Sequence, residues 1–307
     1  MNLQPGTTAA PIDARKAFLV GLAIAIAGAV LFSTKAIVAK LIYRYPVDAV
    51  TLIAFRMVFS LPFFAAIALW QARVSLPLTG IDRIKIVLLG LIGYYVSSFL
   101  DFLGLQYISA GLERLILFLT PSFVLLISIG FLKKRISTLE WMALAVSYLG
   151  TVLVFLHDVR RGGPNVMLGA VFVLGSAMTY ALYLLYSGEM VRRVGAMRLV
   201  AYAMCVSSAA CILQFILLRP LSMMQQPLAV YGLSLFNAVF CTVLPVFMTM
   251  VAVARIGAGT ASQAGMIGPV STLFLGALIL DEPVTAVQLG GTALVLCGVY
   301  LLSKKKV

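Results

Sequence analysis

Charged side chains are scarce in this sequence. Only 11% of its 307 residues are Asp, Glu, Lys or Arg, whereas 62% are hydrophobic, and the mean hydropathy is +1.08. Soluble domains carry roughly a quarter charged residues and an apolar share near one half. The composition therefore excludes a soluble globular protein and predicts an integral membrane protein.

Residues that usually carry catalysis are also missing. The sequence has a single histidine, His157, no GxxxxGK[ST] phosphate-binding loop and no zinc or serine-hydrolase pattern. The cysteines lie within apolar runs, where they are expected to act as small hydrophobic side chains rather than as a disulfide framework. We therefore expect no enzyme, no cofactor and no metal site, and we do not expect this chain to use ATP. The four cysteines are Cys205, Cys211, Cys241 and Cys297.

Long apolar runs dominate the chain instead. A hydrocarbon core about 30 Å thick needs about 20 apolar residues per helix, so the pattern predicts an all-α fold with ten transmembrane helices. The first run is longer than the apolar part of a secretory signal peptide and is expected to be retained. The runs are approximately 17–41, 50–70, 84–103, 109–131, 139–156, 167–190, 199–218, 228–251, 258–280 and 285–302.

The basic residues predict the orientation of these helices. If both termini are cytoplasmic, 15 of the 23 Lys and Arg residues fall in inner segments and 4 in outer loops. The positive-inside rule therefore predicts an inner (plasma) membrane protein with a cytoplasmic segment 1–16 and a cytoplasmic basic tail 304–307. This bias explains the net charge of +13, so no nucleic-acid partner is invoked.

The sequence matches itself after a shift of 148 residues. ISAGLERLILFLTPSF from Ile108 falls on IGAGTASQAGMIGPVS from Ile256, so that Pro121 meets Pro269. We predict two repeats, 17–157 and 167–303, joined by a linker loop at 158–166. Each has five spans, and an odd number inverts the second copy in the membrane, as in many secondary transporters whose substrate site lies between the copies. The two prolines are predicted to break or kink their helices as hinges, although membrane helices also tolerate such kinks without a function.

The end of each repeat resembles a known family. FLKKRISTLEWMALAVSYLGTVLVF and ILDEPVTAVQLGGTALVLCGVYLL are similar to the terminal helix pair of the EamA domain in the drug/metabolite transporter superfamily. The resemblance covers nearly the whole chain as two tandem copies. Its most specific piece is DEPVTAVQLGG, residues 281–291, and the first copy departs from it with Lys134 where an acid is usual. The resemblance implies ten helices, cytoplasmic termini and export of amino acids or related metabolites, and the chain looks most like the exporters of aromatic and other neutral amino acids.

Six charged residues lie inside or at the edges of the first four predicted spans. Insertion of each charged residue at the centre of a membrane helix costs about 2.5 to 3.5 kcal/mol, so these residues must face protein or water. One interpretation is structural, with an ion pair between Asp101 and Arg114 and with Lys40 and Arg56 extending to the outer interface. The other is functional, with these residues lining a cavity and with Asp101, Glu113 and Arg114 forming an ion pair or a proton site. The six are Lys35, Lys40, Arg56, Asp101, Glu113 and Arg114.

The two repeats differ in charge. The spans of the second repeat hold only Glu189, near an end, and Tyr183 and Ser262 stand where the first repeat has Lys35 and Arg114. A cavity with one cationic and one neutral polar wall would suit a solute that bears a carboxylate. Polar residues at helical spacing in the third and sixth spans agree, although such residues also pack helices. The predicted substrate-binding residues are Lys35, Arg56, Tyr94, Ser98, Asp101, Arg114, Thr179, Tyr183 and Ser262.

These observations together predict a transporter that exports neutral and aromatic amino acids by alternating access. Its partners would be a small-molecule substrate and the lipid bilayer, and a monomer would suffice. The alternatives are a carrier of another small metabolite or drug, such as a nucleobase, a vitamin or a toxic compound, and a membrane scaffold without transport. A scaffold would be expected to carry longer soluble extensions. Proton coupling and facilitated efflux both remain open.

Overall fold

The computed structural model describes residues 11–74, 77–132, 137–161 and 165–304, and the part of the chain that it describes is helical, with no strand. The basic run 133–135, part of the predicted linker at 162–164, and most of the two predicted terminal segments lie outside the described residues. The α-helices are α1 (Pro11–Ile42), α2 (Ala49–Val74), α3 (Gly80–Gly90), α4 (Ser97–Leu105), α5 (Ala110–Leu117), α6 (Thr120–Leu132), α7 (Thr138–Arg161), α8 (Val166–Val194), α9 (Ala196–Leu218), α10 (Leu228–Ala238), α11 (Leu244–Ala264), α12 (Ile267–Leu280) and α13 (Ala286–Lys304).

A π-helical turn interrupts the third helix of each repeat at the same place. The turn Leu91–Val96 connects α3 to α4, and the turn Val239–Val243 connects α10 to α11. The two turns begin 148 residues apart, which is the shift of the sequence repeat. π-helical turns are rare in proteins, and those that occur are often found at functional sites. The repeat is therefore present in the irregular backbone as well as in the sequence.

The helices that hold the repeated prolines are also interrupted. α5 and α6 are separated just before Pro121, and α11 and α12 are separated just before Pro269. Proline lacks an amide hydrogen and fits the first turn of a helix, so each break lies where a new helix can begin with proline. α11 has a further kink at Gly257, where φ is 77°. This residue is equivalent to Ser109, which precedes α5.

The helices pack in a pattern that is unchanged when the two repeats exchange. α7 packs against α13, and α2 packs against α9. α1 of the first repeat packs against α11 of the second. Correspondingly, α8, which is the equivalent of α1, packs against α4, which is the equivalent of α11. A pseudo-two-fold relation between the repeats produces this pattern.

Glycines allow two of these helix pairs to approach closely. A Cβ atom on Gly291 of α13 would lie 2.7 Å from the carbonyl oxygen of Gly150 on α7. Similarly, a Cβ atom on Gly104 of α4 would lie 2.6 Å from the carbonyl oxygen of Gly169 on α8. Small residues are the usual means by which membrane helices come into backbone contact. These contacts determine how the repeats are joined.

The described helices have the length and composition of membrane spans. Eight helical segments of 19 to 30 residues are apolar enough to cross a bilayer, and Ile267–Leu280 and Ala286–Leu301 are shorter apolar helices. Large apolar side chains on their outer faces are exposed, for example Leu217 and Leu278, as expected of surfaces that meet lipid. The protein is therefore an all-helical, multi-pass membrane protein, and the count of ten spans stays a prediction.

Candidate functional site

Five buried charged side chains of the first repeat lie near one another, and we call them the charge cluster. They come from α1, α2, α4 and α5, and each is at most 6% exposed. Three are basic and two are acidic, so the cluster has one excess positive charge when all five are ionised. Buried charges are costly unless they are paired and hydrogen-bonded, so the function of each residue depends on its partners. The members are Lys35, Arg56, Asp101, Glu113 and Arg114.

Lys35 pairs with both acids of the cluster. Its ammonium donates to Oδ2 of Asp101 and lies 3.2 Å from Oε1 of Glu113. The predicted ion pair between Asp101 and Arg114 is wrong, because α1 places Lys35 between the two acids while Arg114 points away from Glu113 by about 100° on the same helix. Within the described ranges no three His, Cys, Asp or Glu side chains come together as metal ligands would.

Arg114 contacts α1 and the start of α12. Its Nη2 donates to the hydroxyl of Ser33 at 3.0 Å, and its buried Nε has no acceptor among the described residues. A Cβ atom on Gly268 of the second repeat would lie 2.8 Å from the same Nη2. A larger residue at Gly268 would therefore displace the guanidinium of Arg114.

Two phenylalanine rings lie among the three cations. Phe102 is 5.5 Å from Nζ of Lys35 and 5.1 Å from Cζ of Arg56, measured to the ring centroid. Phe32 is 5.5 Å from Nζ of Lys35 and 5.0 Å from Cζ of Arg114. A cation within about 6 Å of a ring centroid is attracted by the quadrupole of the ring. The rings thus offset part of the cost of burying three like charges near one another.

Arg56 extends from the first repeat to the second. Its Nε donates to the hydroxyl of Thr242 at 2.8 Å, and that hydroxyl donates to the carbonyl oxygen of Asn237 at 3.0 Å. Nη1 of Arg56 is buried without an acceptor among the described residues, as are both polar side-chain atoms of Asn237. Arg56 is 5% exposed, so the alternative that it extends to the outer interface is wrong. Its guanidinium ends at the boundary between the repeats with an unused donor.

Three tyrosines form a second group between α8 and the first π turn. The hydroxyls of Tyr94 and Tyr183 are 3.3 Å apart, and their ring centroids are 4.9 Å apart. Tyr180 stacks on Tyr183 with a centroid distance of 5.6 Å. Tyr183 also lies directly against Gly93, where a Cβ atom would be 2.3 Å from its ring. The structure thus brings together two of the predicted site residues, Tyr94 and Tyr183.

The remaining polar residues of the predicted site are Ser98, Thr179 and Ser262. Ser97, rather than Ser98, contacts Ser176 across α4 and α8, with 3.1 Å between the hydroxyls. Thr179 donates to backbone carbonyls of its own helix, a contact that fits helix packing. Ser262 belongs to α11, and its side chain lies outside the described residues.

Glu282 from the 281–291 motif connects the second repeat to the first. Its Oε1 accepts a hydrogen bond of 3.2 Å from the amide of Ala110, at the N-terminus of α5. An acid at this position accepts a hydrogen bond from an amide that has no partner within the helix, and its negative charge interacts favourably with the helix dipole. Burial raises the pKa of the Glu282 carboxyl, while this hydrogen bond and the charge of Lys40 act in the opposite direction. The first repeat has Lys134 at the equivalent position, outside the described residues.

Sequence reasoning missed five residues that contact side chains of the charge cluster. Thr242 had a usable signal, because it lies 148 residues after Tyr94 and so occupies the same position in the other π turn. The others are ordinary residues of apolar helices, and nothing in their spacing distinguishes them. These four are Phe32, Ser33, Phe102 and Phe118.

Comparison with known proteins decides the family. The model of the EamA-like transporter family matches residues 19–156 and, a second time, residues 167–304. The chain belongs to the EamA-like transporter family. The resemblance seen in the two repeat ends is therefore confirmed, and this EamA-like protein is a membrane transporter.

Its relatives carry names that specify transport and no substrate. Uncharacterized transporter YcbK of Bacillus subtilis (strain 168) is 33% identical over 288 residues, which cover 88% of this chain and 89% of that protein. An uncharacterized transporter of Archaeoglobus fulgidus is 27% identical over 225 residues, covering 73% of this chain and 79% of its own. A protein of known crystal structure shares the fold with a TM-score of 0.62 at 18% identity, over 92% of this chain and 96% of its own.

Proposed function

We propose that this EamA-like transporter exports neutral and aromatic amino acids across the inner membrane by alternating access between its two repeats. The observation that carries the proposal is the guanidinium of Arg56. It is buried, it is bonded to Thr242 of the opposite repeat, and it keeps an unpaired donor at Nη1. A planar guanidinium is the side chain best suited to a carboxylate, which it binds through two parallel hydrogen bonds.

The tyrosine group supports an apolar or aromatic side chain on the substrate. Tyr94 and Thr242 occupy equivalent positions in the two π turns. A solute bound between the repeats would place its carboxylate at Arg56 and Thr242 and its side chain towards Tyr94. Tyrosine rings give apolar contact area together with a hydroxyl group. Lys35 and Arg114 extend the positive wall, and Ser98, Asp101, Thr179 and Ser262 stay predicted substrate-binding residues.

The interrupted helices support movement of one repeat against the other. The breaks before Pro121 and Pro269 are equivalent, and an inverted repeat converts an inward-facing form into an outward-facing form when the two halves exchange conformations. In this proposal the chain crosses the membrane ten times, with both termini in the cytoplasm. The contact between Glu282 and Ala110 then lies on the outer side.

Transport by purified protein in proteoliposomes tests the proposal. We expect saturable uptake of radiolabelled phenylalanine and leucine. In Arg56→Ala the half-saturating concentration should rise at least about tenfold, which corresponds to about 1.4 kcal/mol of lost binding. The half-saturating concentration of Arg56→Lys should lie between those of the unaltered protein and Arg56→Ala, because lysine keeps the positive charge and lacks the planar guanidinium.

Arg73→Ala is the matched control. Arg73 is also an arginine of α2 but is exposed near its end, so its removal should leave uptake near that of the unaltered protein. No saturable uptake of any neutral or aromatic amino acid by folded protein would refute the substrate class. Equal uptake by the protein with and without Arg56→Ala would refute the assigned role of Arg56.

A further inference from the structure

Glu113 is poorly supported as a carboxylate. It is 0% exposed, and neither of its carboxyl oxygens accepts a hydrogen bond from any described residue. Its ion-pair contact is the ammonium of Lys35 at 3.2 Å. An ionised carboxylate in the interior costs several kcal/mol unless close donors compensate for lost water. The surroundings therefore favour the neutral acid.

Asp101 competes with Glu113 for the same ammonium. Lys35 donates its hydrogen bond to Oδ2 of Asp101, so one cation serves two acids. Oδ1 of Asp101 has no donor among the described residues, and the two carboxyls are neighbours because both contact the same ammonium. Two ionised carboxylates can only accept hydrogen bonds, so a bond between them requires a proton. Neighbouring acids in this arrangement share one proton because like charges so close cannot both ionise cheaply.

The other charged groups around α5 have partners of their own. Asp158 on α7 accepts from Ser109 at 2.7 Å, and Glu282 accepts from the amide of Ala110. Arg114 on α5 itself donates to Ser33. Lys35 is thus the cation in direct contact with Glu113. The charged groups that act on Glu113 are Lys35 and Lys40 on α1, Asp101 on α4 and Arg114 on α5 itself, whereas Asp158 on α7 and Glu282 after α12 lie at the start of α5.

We propose that Glu113 is the proton-binding site of the transport cycle, and that the proton and the amino acid occupy the site alternately. This inference rests on the proposed function and adds the coupling ion to it. In the substrate-free state Glu113 holds the proton and shares it with the neighbouring carboxyl of Asp101. When the substrate enters, its α-ammonium group replaces that proton between the two carboxyls, and the proton leaves Glu113 for water. Alternate occupancy gives exchange, with one proton moving inward as one amino acid moves outward.

Infrared spectroscopy tests the proton without any substrate. The purified protein at pH 7 should show the C=O stretching band of a protonated carboxylic acid, and the band should shift in D₂O. Glu113→Gln should remove it, whereas Glu189→Gln should retain it, because the side chain of Glu189 is 64% exposed and pairs with Lys85. Absence of the band at pH 7, or its persistence in Glu113→Gln, would overturn the proposal.

Transport then tests the coupling. Proteoliposomes loaded at acidic pH should accumulate radiolabelled phenylalanine. This accumulation is divided by the counterflow measured without a pH gradient. In Glu113→Gln the ratio should fall at least about tenfold, a change equivalent to about 1.4 kcal/mol. Glu189→Gln should keep the ratio. Counterflow without any gradient dependence would refute proton coupling and leave the proposed function intact. Absence of counterflow for both phenylalanine and leucine would refute the proposed function, and the infrared band would still decide the protonation of Glu113.

Discussion

Removal of Lys35 should be the most damaging single change in the charge cluster. Lys35→Met keeps an unbranched side chain of similar length and deletes the ammonium. Asp101 then loses its hydrogen-bond donor, and Glu113 loses the ammonium that lies 3.2 Å from its carboxyl. Both acids stay buried, at 4% and 0% exposed. The substitution therefore creates an uncompensated negative charge in the interior.

The distances give the expected size of this effect. Lys35 and Asp101 are in direct contact, and at an effective dielectric constant of about 20 the attraction between two unit charges in contact is about 5 kcal/mol. Much of it offsets the cost of removing both groups from water. Deleting one partner of a buried pair typically costs about 3–5 kcal/mol. We expect Lys35→Met to fall in this range, and Asp101→Leu to cost less, because Lys35 would keep Glu113 as a partner.

A double-mutant cycle isolates the pair. Lys35→Met, Asp101→Leu and the double variant would be unfolded in mixed detergent micelles by increasing SDS and followed by circular dichroism. The double variant should be more stable than the sum of the single losses by about 1–3 kcal/mol. Lys85→Met with Glu189→Leu is the matched cycle for an exposed lysine–acid pair at 3.4 Å, and its coupling should not exceed about 0.5 kcal/mol. Additive losses in the buried cycle would refute the pairing.

Two further predictions concern packing and pH. Gly298→Ala should lower the melting temperature through a loss of about 1–3 kcal/mol of stability, because the new Cβ would lie 2.6 Å from the carbonyl oxygen of Ala143. Gly290→Ala should leave the melting temperature unchanged, because nothing lies within 4 Å of its Cβ. Equal melting temperatures for the two variants would contradict the close contact at Gly298. In the loop before α2, burial raises the pKa of the Asp48 carboxyl, but hydrogen bonds from Thr51 and Arg219 outweigh it and hold that pKa below its usual value. Asp48 therefore stabilises the fold above the unfolded-state pKa of about 3.9, and this contribution is lost as the pH falls through the lower folded-state pKa. Because Arg219 is partly exposed, Asp48→Asn should remove at most about 1 kcal/mol of this acid-sensitive stability. The measurement is the melting temperature of both proteins between about pH 6 and pH 3. If the two proteins show the same pH profile, the contact between Asp48 and Arg219 does not stabilise the fold.

Local features of the sequence were sufficient to identify a helical membrane protein built from two repeats. Run length identifies membrane helices because the bilayer sets the number of residues that a span needs. The self-match at 148 residues identified the repeats, and the helix breaks occur at Pro121 and Pro269 because proline cannot donate the amide hydrogen that a continuous helix requires. No residue pattern in the sequence indicated the two π turns. The repeat predicts only that, if one repeat has such a turn, the other has it at the equivalent position.

The partners of the buried charges required the folded structure. Lys35 meets Asp101 across 66 residues, and Arg56 meets Thr242 across 186. The sequence placed Asp101 and Arg114 at similar depth and so favoured the wrong pair. Depth along a helix follows from residue number, but the choice of partner also depends on the direction in which each side chain points.

By itself, then, the sequence determined the membrane class, the two repeats, the family and the residues that must be kept out of lipid. Only the tertiary structure decided that Lys35 serves two acids and that Arg56 ends at the opposite repeat. The physical reason is that most of these helices are apolar on nearly every face, so polar residues record the rotation of few of them about their own axes. Their rotation is determined by close contacts such as Gly150 with Gly291, and those contacts form only when the two repeats pack together.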